Sequence, residues 1–336
     1  MRIAFFELED HEKDYVKSSQ AIAGHELLFF DGILSKDNMP DDISFEIASI
    51  FVNSAVDGDV LSKLADLKMI ATRSTGYDHI DLKAATEKSI VIANVPAYGE
   101  NTVAEFAFAL LLALSRKIFD SYHRIKEDGS FNLDGLRGFD LKGKTIGVIG
   151  TGRIGAHVIK IAKGFDMKVI ANDAYPNEKL SGELGFKYLP LEEVLKESDI
   201  ITLHVPYMKE THHLINKDNI GLIKKGAYLV NTARGGLVET EALISALKEG
   251  RLAGAGLDVL EEEGIIKDEL NFLVKGHPEE HNLKTVLAGH VLIDMPNVIV
   301  TPHNAFNTAE ALRRILDTTL DNINSFIKGE LKNTVK

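Results

Sequence analysis

Short runs of branched and aromatic residues recur along the chain, separated by longer stretches whose apolar positions repeat every three to four residues. "RIAFF" (2–6), "IASIFV" (47–52), "KMIATR" (68–73) and "IVIANV" (90–95) read as strands in the first hundred residues. A second series follows: "KTIGVIG" (144–150), "KVIAND" (168–173), "DIITLHV" (199–205), "AYLVNT" (227–232), "AGAGLDV" (253–259) and "NVIVTP" (297–302). Helical patterns lie between them, for example over 153–165 and over 240–250, the latter closed by Gly250. Strands alternating with helices at this spacing build parallel sheets from βαβ units.

The two series predict two α/β domains. The polar, glycine-bearing stretch "FNLDGLRGFDLKGK" (131–144) reads as irregular chain ahead of the second sheet. The helical pattern after Thr301 cannot continue a parallel sheet and is expected to return to the first domain. One domain then comprises 1–100 with 302–336, and the other, 101–301, is inserted into it. "FAFALLLALS" (106–115) is apolar all round, so it predicts a helix buried on every side, as between subunits. Thr102 and Glu105 stand three apart just ahead of it, in the spacing of a capping box. The run is too short for the roughly 20 residues of a membrane-spanning helix.

Composition narrows the classes. The 336 residues carry a formal net charge of -12, which argues against nucleic-acid or anionic-membrane partners, since these need a basic face. With no cysteine, disulfides, thiolate metal sites and cysteine nucleophiles are excluded. The N-terminus turns acidic at Glu7, too early for a secretory signal, so a cytoplasmic protein is expected.

"VIGTGRIG" (148–155) runs from a strand into Gly150-x-Gly152-x-x-Gly155 and then a helix. A bare glycine pattern is weak evidence, but here strand and helix flank it correctly. The glycines allow a tight turn and a close backbone approach to a pyrophosphate seated on the helix N-terminus. The next strand ends at Asp173, eighteen residues after Gly155, where a carboxylate accepts from the ribose hydroxyls of NAD and repels the 2′-phosphate of NADP. NAD is therefore the expected cofactor.

An NAD enzyme reducing a 2-oxo acid needs a cation for the carboxylate and an acid for the carbonyl oxygen. It also needs a group that tunes the acid. Histidine suits the acid, and a neighbouring carboxylate favours its charged form and fixes its tautomer. Arg234, the acidic run after Asp258, and His303 all lie at strand ends of the second series, where open α/β sheets bind ligands. Singly, each has a plain reading: a surface arginine, a solvated acidic face, a histidine in a turn.

Together with "TRSTGYDHIDL" (72–82), "NVPAYGENTVAE" (94–105), "LHVPYMKETHHLIN" (203–216), "NTARGG" (231–236), "GLDVLEEE" (256–263) and "TPHNAF" (301–306), the glycine motif makes nearly the whole chain resemble the D-isomer-specific 2-hydroxyacid dehydrogenase family, most closely its D-lactate dehydrogenases. The resemblance implies two parallel-sheet domains, Rossmann-like and flavodoxin-like, with the NAD-binding one inserted into the substrate domain. It implies that Arg234 binds the substrate carboxylate, that His303 exchanges the proton, and that Glu263 pairs with His303. Arg153 and Ile154 would cradle the pyrophosphate; Val205, Pro206 and Thr211 would line the nucleotide cleft. Thr232, Ala233 and Asp258 would lie near the nicotinamide. Backbone N–H groups around Thr75 and Gly76 would grip the carboxylate, with Tyr98 beside the substrate and Phe51 and Phe306 closing over a small side chain such as that of pyruvate. A homodimer through the NAD domain is also implied, and would account for the apolar helix.

If residues 258–264 are extended, Glu261 and Glu263 share a face and Glu262 points to solvent. Alternation alone leaves Glu261 and Glu263 both open. The family register, five residues beyond the aspartate, selects Glu263.

"HPEEH" (277–281) matches a zinc-protease pattern, but Gly276 and Pro278 around the first histidine oppose the helix it needs, so no metal site is expected there or at "THHLI" (211–215). Glu263 stands where the formate dehydrogenase branch has glutamine. His303 is followed by 33 residues, so the regulatory domain of long phosphoglycerate dehydrogenases is not expected. Two alternatives remain: a dehydrogenase for another 2-hydroxy acid, and an NAD(H)-sensing binding protein like the co-repressors that share this fold.

Overall fold

The computed structural model describes residues 1–263 and 283–335. It divides into two compact units, Met1–Tyr98 with Asn307–Lys336, and Gly99–Phe306. The cuts fall at 98/99 and 306/307 where the sequence pattern drew 100/101 and 301/302. His303 to Phe306 stay with the second unit because the backbone N–H groups of Asn304 and Ala305 donate to Asp258.

In the first unit, strands β1 (Arg2–Phe6), β2 (Glu26–Phe30), β3 (Ile47–Ile50), β4 (Met69–Thr72) and β5 (Val91–Ala93) pair in parallel in the order β5-β4-β3-β1-β2. The two-residue strand Thr334–Val335 adds antiparallel to β5. Every residue of β3 and β4 is buried, as expected of strands covered on both faces. The helix Ala309–Ile327 returns to this unit, capped by the Thr308 hydroxyl accepting from Ala311 N, and Asn322 donates to the Asn94 carbonyl at 2.9 Å.

In the second unit, β6 (Thr145–Ile149), β7 (Lys168–Asn172), β8 (Lys187–Tyr188), β9 (Ile200–Leu203), β10 (Ala227–Asn231), β11 (Leu252–Leu257) and β12 (Val298–Val300) form one parallel sheet. Its order is β12-β11-β10-β9-β6-β7-β8, so the direction of winding reverses between β6 and β9. That switch point is where doubly wound sheets leave a crevice at their C-terminal edge.

All ten strands expected from the pattern form. Three short ones, β2, β8 and Thr334–Val335, were not anticipated; "ELLFF" is only half-buried and lacks a clean alternation. The capping-box reading of Thr102 and Glu105 is corrected: the helix Glu100–Ser115 begins earlier, with Gly99 at its N-cap, and both residues lie inside it. Much of its apolar surface is covered within the unit, although Ala109 is exposed and Phe106, Leu112 and Ala113 are half-buried. It packs against the helix Arg153–Gly164 and against β10 and β11, burying Ala107, Phe108, Leu110, Leu111 and Leu114. A cluster of exposed apolar residues lies on the next helix, Ile118–Asp128, where Ile118, Phe119, Tyr122 and Ile125 are each 46–54% exposed. Among the described residues, no helix is long and apolar enough to cross a membrane.

Candidate active site and cofactor cleft

The cleft starts where β6 ends. Gly150 has φ +92 and donates to the Asn172 carbonyl at 2.8 Å; a Cβ there would meet the His204 carbonyl carbon at 2.7 Å, so only glycine lets the β6 and β9 chain ends come this close. A Cβ on Gly155 would sit 2.0 Å from the Gly150 oxygen, so the turn can fold onto its helix only without a side chain. Gly152 is the N-cap of that helix, Arg153–Gly164, and a Cβ on it would touch nothing within 4 Å, which leaves its backbone open to a ligand. Arg153 and Ile154 form the first turn, the positive end of the helix dipole, which favours an anion. The Arg153 side chain is 62% exposed and lies 3.8 Å from Glu100.

Asp173 follows β7. Its Oδ2 accepts from Thr151 N at 2.6 Å and Thr151 Oγ1 at 2.9 Å, and its Oδ1 accepts from Tyr175 N at 2.9 Å. An ionised carboxylate has about four acceptor sites, so this one is oriented by the glycine loop and keeps capacity for a ribose hydroxyl. Across the crevice, Val205 and Pro206 follow β9, and Thr211 closes their loop by accepting from Met208 N and donating to the Pro206 carbonyl, both at 2.8 Å. The His204 ring is held by Thr202 Oγ1 at 2.8 Å, and burial pushes its pKa down to about 3.

After β10, Asn231 shapes the turn. Its Oδ1 accepts from Ala233 N at 3.0 Å and its Nδ2 donates to the Arg234 carbonyl at 2.8 Å. Thr232 is buried, and its hydroxyl is the one buried side-chain polar atom among the described residues with no hydrogen-bond partner. An orphaned hydroxyl in a nucleotide crevice, beside open glycine backbone and an oriented carboxylate, fits a dinucleotide whose polar groups complete the set. Arg234 is half-buried, with Nη1 2.9 Å from the Ala233 carbonyl.

Asp258, after β11, is fully buried, and its carboxylate accepts from Thr301 Oγ1 (2.5 Å), Asn304 N (2.8 Å) and Ala305 N (2.8 Å). Its carbonyl accepts from His303 N at 2.9 Å. Burial raises the Asp258 pKa, while these bonds and His303 oppose the rise. The clamp holds His303 at φ +54, a left-handed conformation uncommon for a residue with a side chain.

The acidic run then divides its tasks. Glu263 Oε1 lies 2.7 Å from His303 Nδ1. With Glu263 ionised, Nδ1 carries the hydrogen of that bond and Nε2 is the nitrogen that exchanges a proton. Glu261 has a different partner, His213 Nε2 at 2.7 Å, and its other oxygen accepts from Thr240 N at 3.0 Å and from the Thr240 hydroxyl. The expectation that Glu261 and Glu263 share a face is corrected, because the segment is a turn and not extended. Glu262 sits at φ +55, which swings its two neighbours apart, and it is half-buried instead of pointing freely to solvent. The His213–Glu261 pair was missed in the sequence; its signal was present in "THHLI", read only as part of the cofactor cleft.

The His303 and Phe306 rings meet edge to face at 6.3 Å. In the first unit, Thr75 Oγ1 donates to the Val95 carbonyl at 2.8 Å, Asn94 Nδ2 to the Thr75 carbonyl at 2.8 Å, and Ser74 Oγ to the Gly76 carbonyl at 2.6 Å. These bonds fix the loop that carries Thr75 and Gly76. The Tyr98 carbonyl accepts from Arg314 Nε, and Phe51 N donates to Glu7 Oε1 at 3.2 Å. Among the described residues, no three His, Cys, Asp or Glu side chains converge as a metal site would require. "HPEEH" (277–281) lies outside the described residues.

Comparison with known proteins shows the family. Residues 108–305 match the family model described as D-isomer specific 2-hydroxyacid dehydrogenase, NAD binding domain. The 2-hydroxyacid dehydrogenase homolog 1 of Schizosaccharomyces pombe is 41% identical over 97% of this chain and 96% of its own length. An aromatic 2-oxoacid reductase of Clostridium sporogenes is 42% identical over 85% of this chain and 84% of its own. The structure of a D-lactate dehydrogenase from Aquifex aeolicus, complexed with NAD and lactic acid, superposes with a TM-score of 0.88 at 37% identity, covering 99% of this chain and 98% of that one.

Proposed function

The chain belongs to the D-isomer-specific 2-hydroxyacid dehydrogenase family and is an NAD-dependent oxidoreductase; from that premise we propose that its substrate pair is D-lactate and pyruvate, D-lactate + NAD+ = pyruvate + NADH + H+. NAD, when bound, supplies the hydride acceptor, and NADH the hydride donor.

In this reading His303 Nε2 takes the hydroxyl proton as lactate is oxidised and returns it to the carbonyl oxygen in reduction. Glu263 accepts from Nδ1, which orients the ring and stabilises the imidazolium formed when Nε2 gains the proton. Arg234 pairs with the substrate carboxylate and draws electron density from the adjacent carbonyl. Asp258 keeps His303 in place. In the first unit, the N–H groups of Thr75 and Gly76 bind the carboxylate, and Phe51 and Tyr98 neighbour the substrate, as does Phe306 in the second. The pyrophosphate would be held at the first turn of the helix Arg153–Gly164 by Arg153 and Ile154, the ribose by Asp173, with Val205, Pro206 and Thr211 lining the crevice and Thr232 and Ala233 serving the nicotinamide end.

The observation that carries the reading is the 2.7 Å contact of His303 with Glu263, built on the Asp258 clamp one strand end away from Arg234. The relative of Clostridium sporogenes named for aromatic 2-oxo acids makes a panel of 2-oxo acids the necessary test. NADH oxidation followed by absorbance should be fastest with pyruvate among pyruvate, 2-oxo-4-methylpentanoate and phenylpyruvate, and the lactate formed should be the D isomer. Preference for phenylpyruvate would replace the substrate assignment. NADH binding with no oxidation across the panel would favour an NAD(H) sensor. The reading also places the enzyme in the cytoplasm and pairs it with a second copy through the apolar face of Ile118, Phe119, Tyr122 and Ile125; light scattering showing a monomer at micromolar concentration would reject that dimer.

A further inference from the structure

Glu7 follows β1 at φ +55, a left-handed conformation that is uncommon for a residue with a side chain. Its carboxylate gathers the loop after β3. Oε1 accepts from Phe51 N at 3.2 Å, Ser54 N at 3.1 Å and the Ser54 hydroxyl at 2.5 Å. Oε2 accepts from Asn53 N at 3.3 Å and Asn53 Nδ2 at 3.0 Å.

Behind this carboxylate stands Arg73, the residue after β4, which is only 2% exposed. Its Nη2 donates to the carbonyls of Phe6 at 2.7 Å and Glu7 at 2.9 Å, and its Nη1 to the Ser49 carbonyl at 3.3 Å and hydroxyl at 3.2 Å. The guanidinium carbon lies 5.7 Å from the centre of the Phe51 ring, within range of a cation–π contact. A buried cation thus fixes the backbone of Glu7, the Glu7 carboxylate fixes the backbone of Phe51, and the same cation lies over the Phe51 ring. The strands need none of this for their register, since β1, β3 and β4 already pair directly. Strained residues held from several sides are the ones a function maintains.

We propose that Glu7 is a positioning residue that sets the room for the substrate side chain by fixing Phe51, so that preference among 2-oxo acids is controlled by a residue that does not itself touch substrate. The inference rests on the reading of Phe51 as a substrate neighbour. It predicts that loosening Glu7 admits larger side chains, because a pocket with a movable wall no longer excludes added methylenes.

The test is kcat/KM with NADH for pyruvate and for 2-oxo-4-methylpentanoate in the full-length enzyme and in Glu7→Ala, Glu7→Gln, Phe51→Leu and the double variant Phe51→Leu/Glu7→Ala. Glu7→Ala should raise the ratio of the branched acid to pyruvate about tenfold. Glu7→Gln, which keeps the shape and carries the comparison if the alanine variant does not fold, should raise it by a smaller factor. Phe51→Leu should also shift the ratio, and adding Glu7→Ala to it should change little more. If the Glu7 variants lower both values by one factor while Phe51→Leu still shifts the ratio, Glu7 is merely structural and the reading of Phe51 stands. If Phe51→Leu leaves the ratio unmoved, that reading falls and the proposal falls with it.

Discussion

His303 Nδ1 and Glu263 Oε1 are 2.7 Å apart, although the two residues are separated by 40 positions and are 16% and 29% exposed. A carboxylate in that place stabilises positive charge on the ring just when Nε2 holds a proton. Glu263→Gln keeps the hydrogen-bond acceptor and removes the charge. Turnover of pyruvate should fall about a hundredfold, with NADH affinity unchanged in a fluorescence titration.

Glu261 supports the same turn from the opposite side, through His213 and Thr240. Replacing it with glutamine disturbs a largely buried network and should lower stability by about 1–2 kcal/mol in urea unfolding. Turnover should fall less than in Glu263→Gln. The reverse ranking would mean that the two glutamates have been assigned to the wrong tasks.

Arg234→Lys replaces a planar fork by a point charge that cannot make two parallel bonds to a carboxylate. The KM for pyruvate should rise about tenfold or more, with NADH affinity held. An unchanged KM would assign Arg234 another task.

His204 makes stability depend on pH. Its folded pKa of about 3 lies below the ordinary value of 6.5, so between these values the unfolded chain binds the extra proton. Stability from this group is complete above pH 6.5 and declines as pH falls toward 3. The decline between pH 6.5 and 5 amounts to about 2 kcal/mol. His204→Gln should remove that part of the acid sensitivity, visible as a smaller drop in the urea midpoint between pH 7 and pH 5. Equal drops in the two proteins would show that another group governs the response.

Much of this architecture was legible in the sequence because its signals are local. A β-branched run, three glycines and an acid at the next strand end fix β6, the turn and Asp173 with little help from distant residues. Glu263 needed the family register, since alternation assumes an extended backbone and Glu262 at φ +55 breaks it. The partners of Glu261 were beyond reach: His213 lies 48 positions away, and only the folded sheet brings them together. The apolar run at 106–115 was legible as largely buried, but this chain's own helix and sheet cover much of it, and no spacing rule says which surface will do so. Glu7 gave no signal at all, because five donors from residues 51–54 converge on it only after β1 and β3 have paired.

The most direct test of the account is His303→Gln, measured as single-turnover NADH oxidation with saturating pyruvate beside an NADH binding titration. The side chain stays polar and the Asp258 clamp holds backbone only at this residue, so the fold and the cofactor cleft should persist. The account predicts a loss of about a thousandfold or more in the rate of hydride transfer with NADH affinity within about twofold of the parent. A variant that turns over pyruvate at near the parent rate would contradict it.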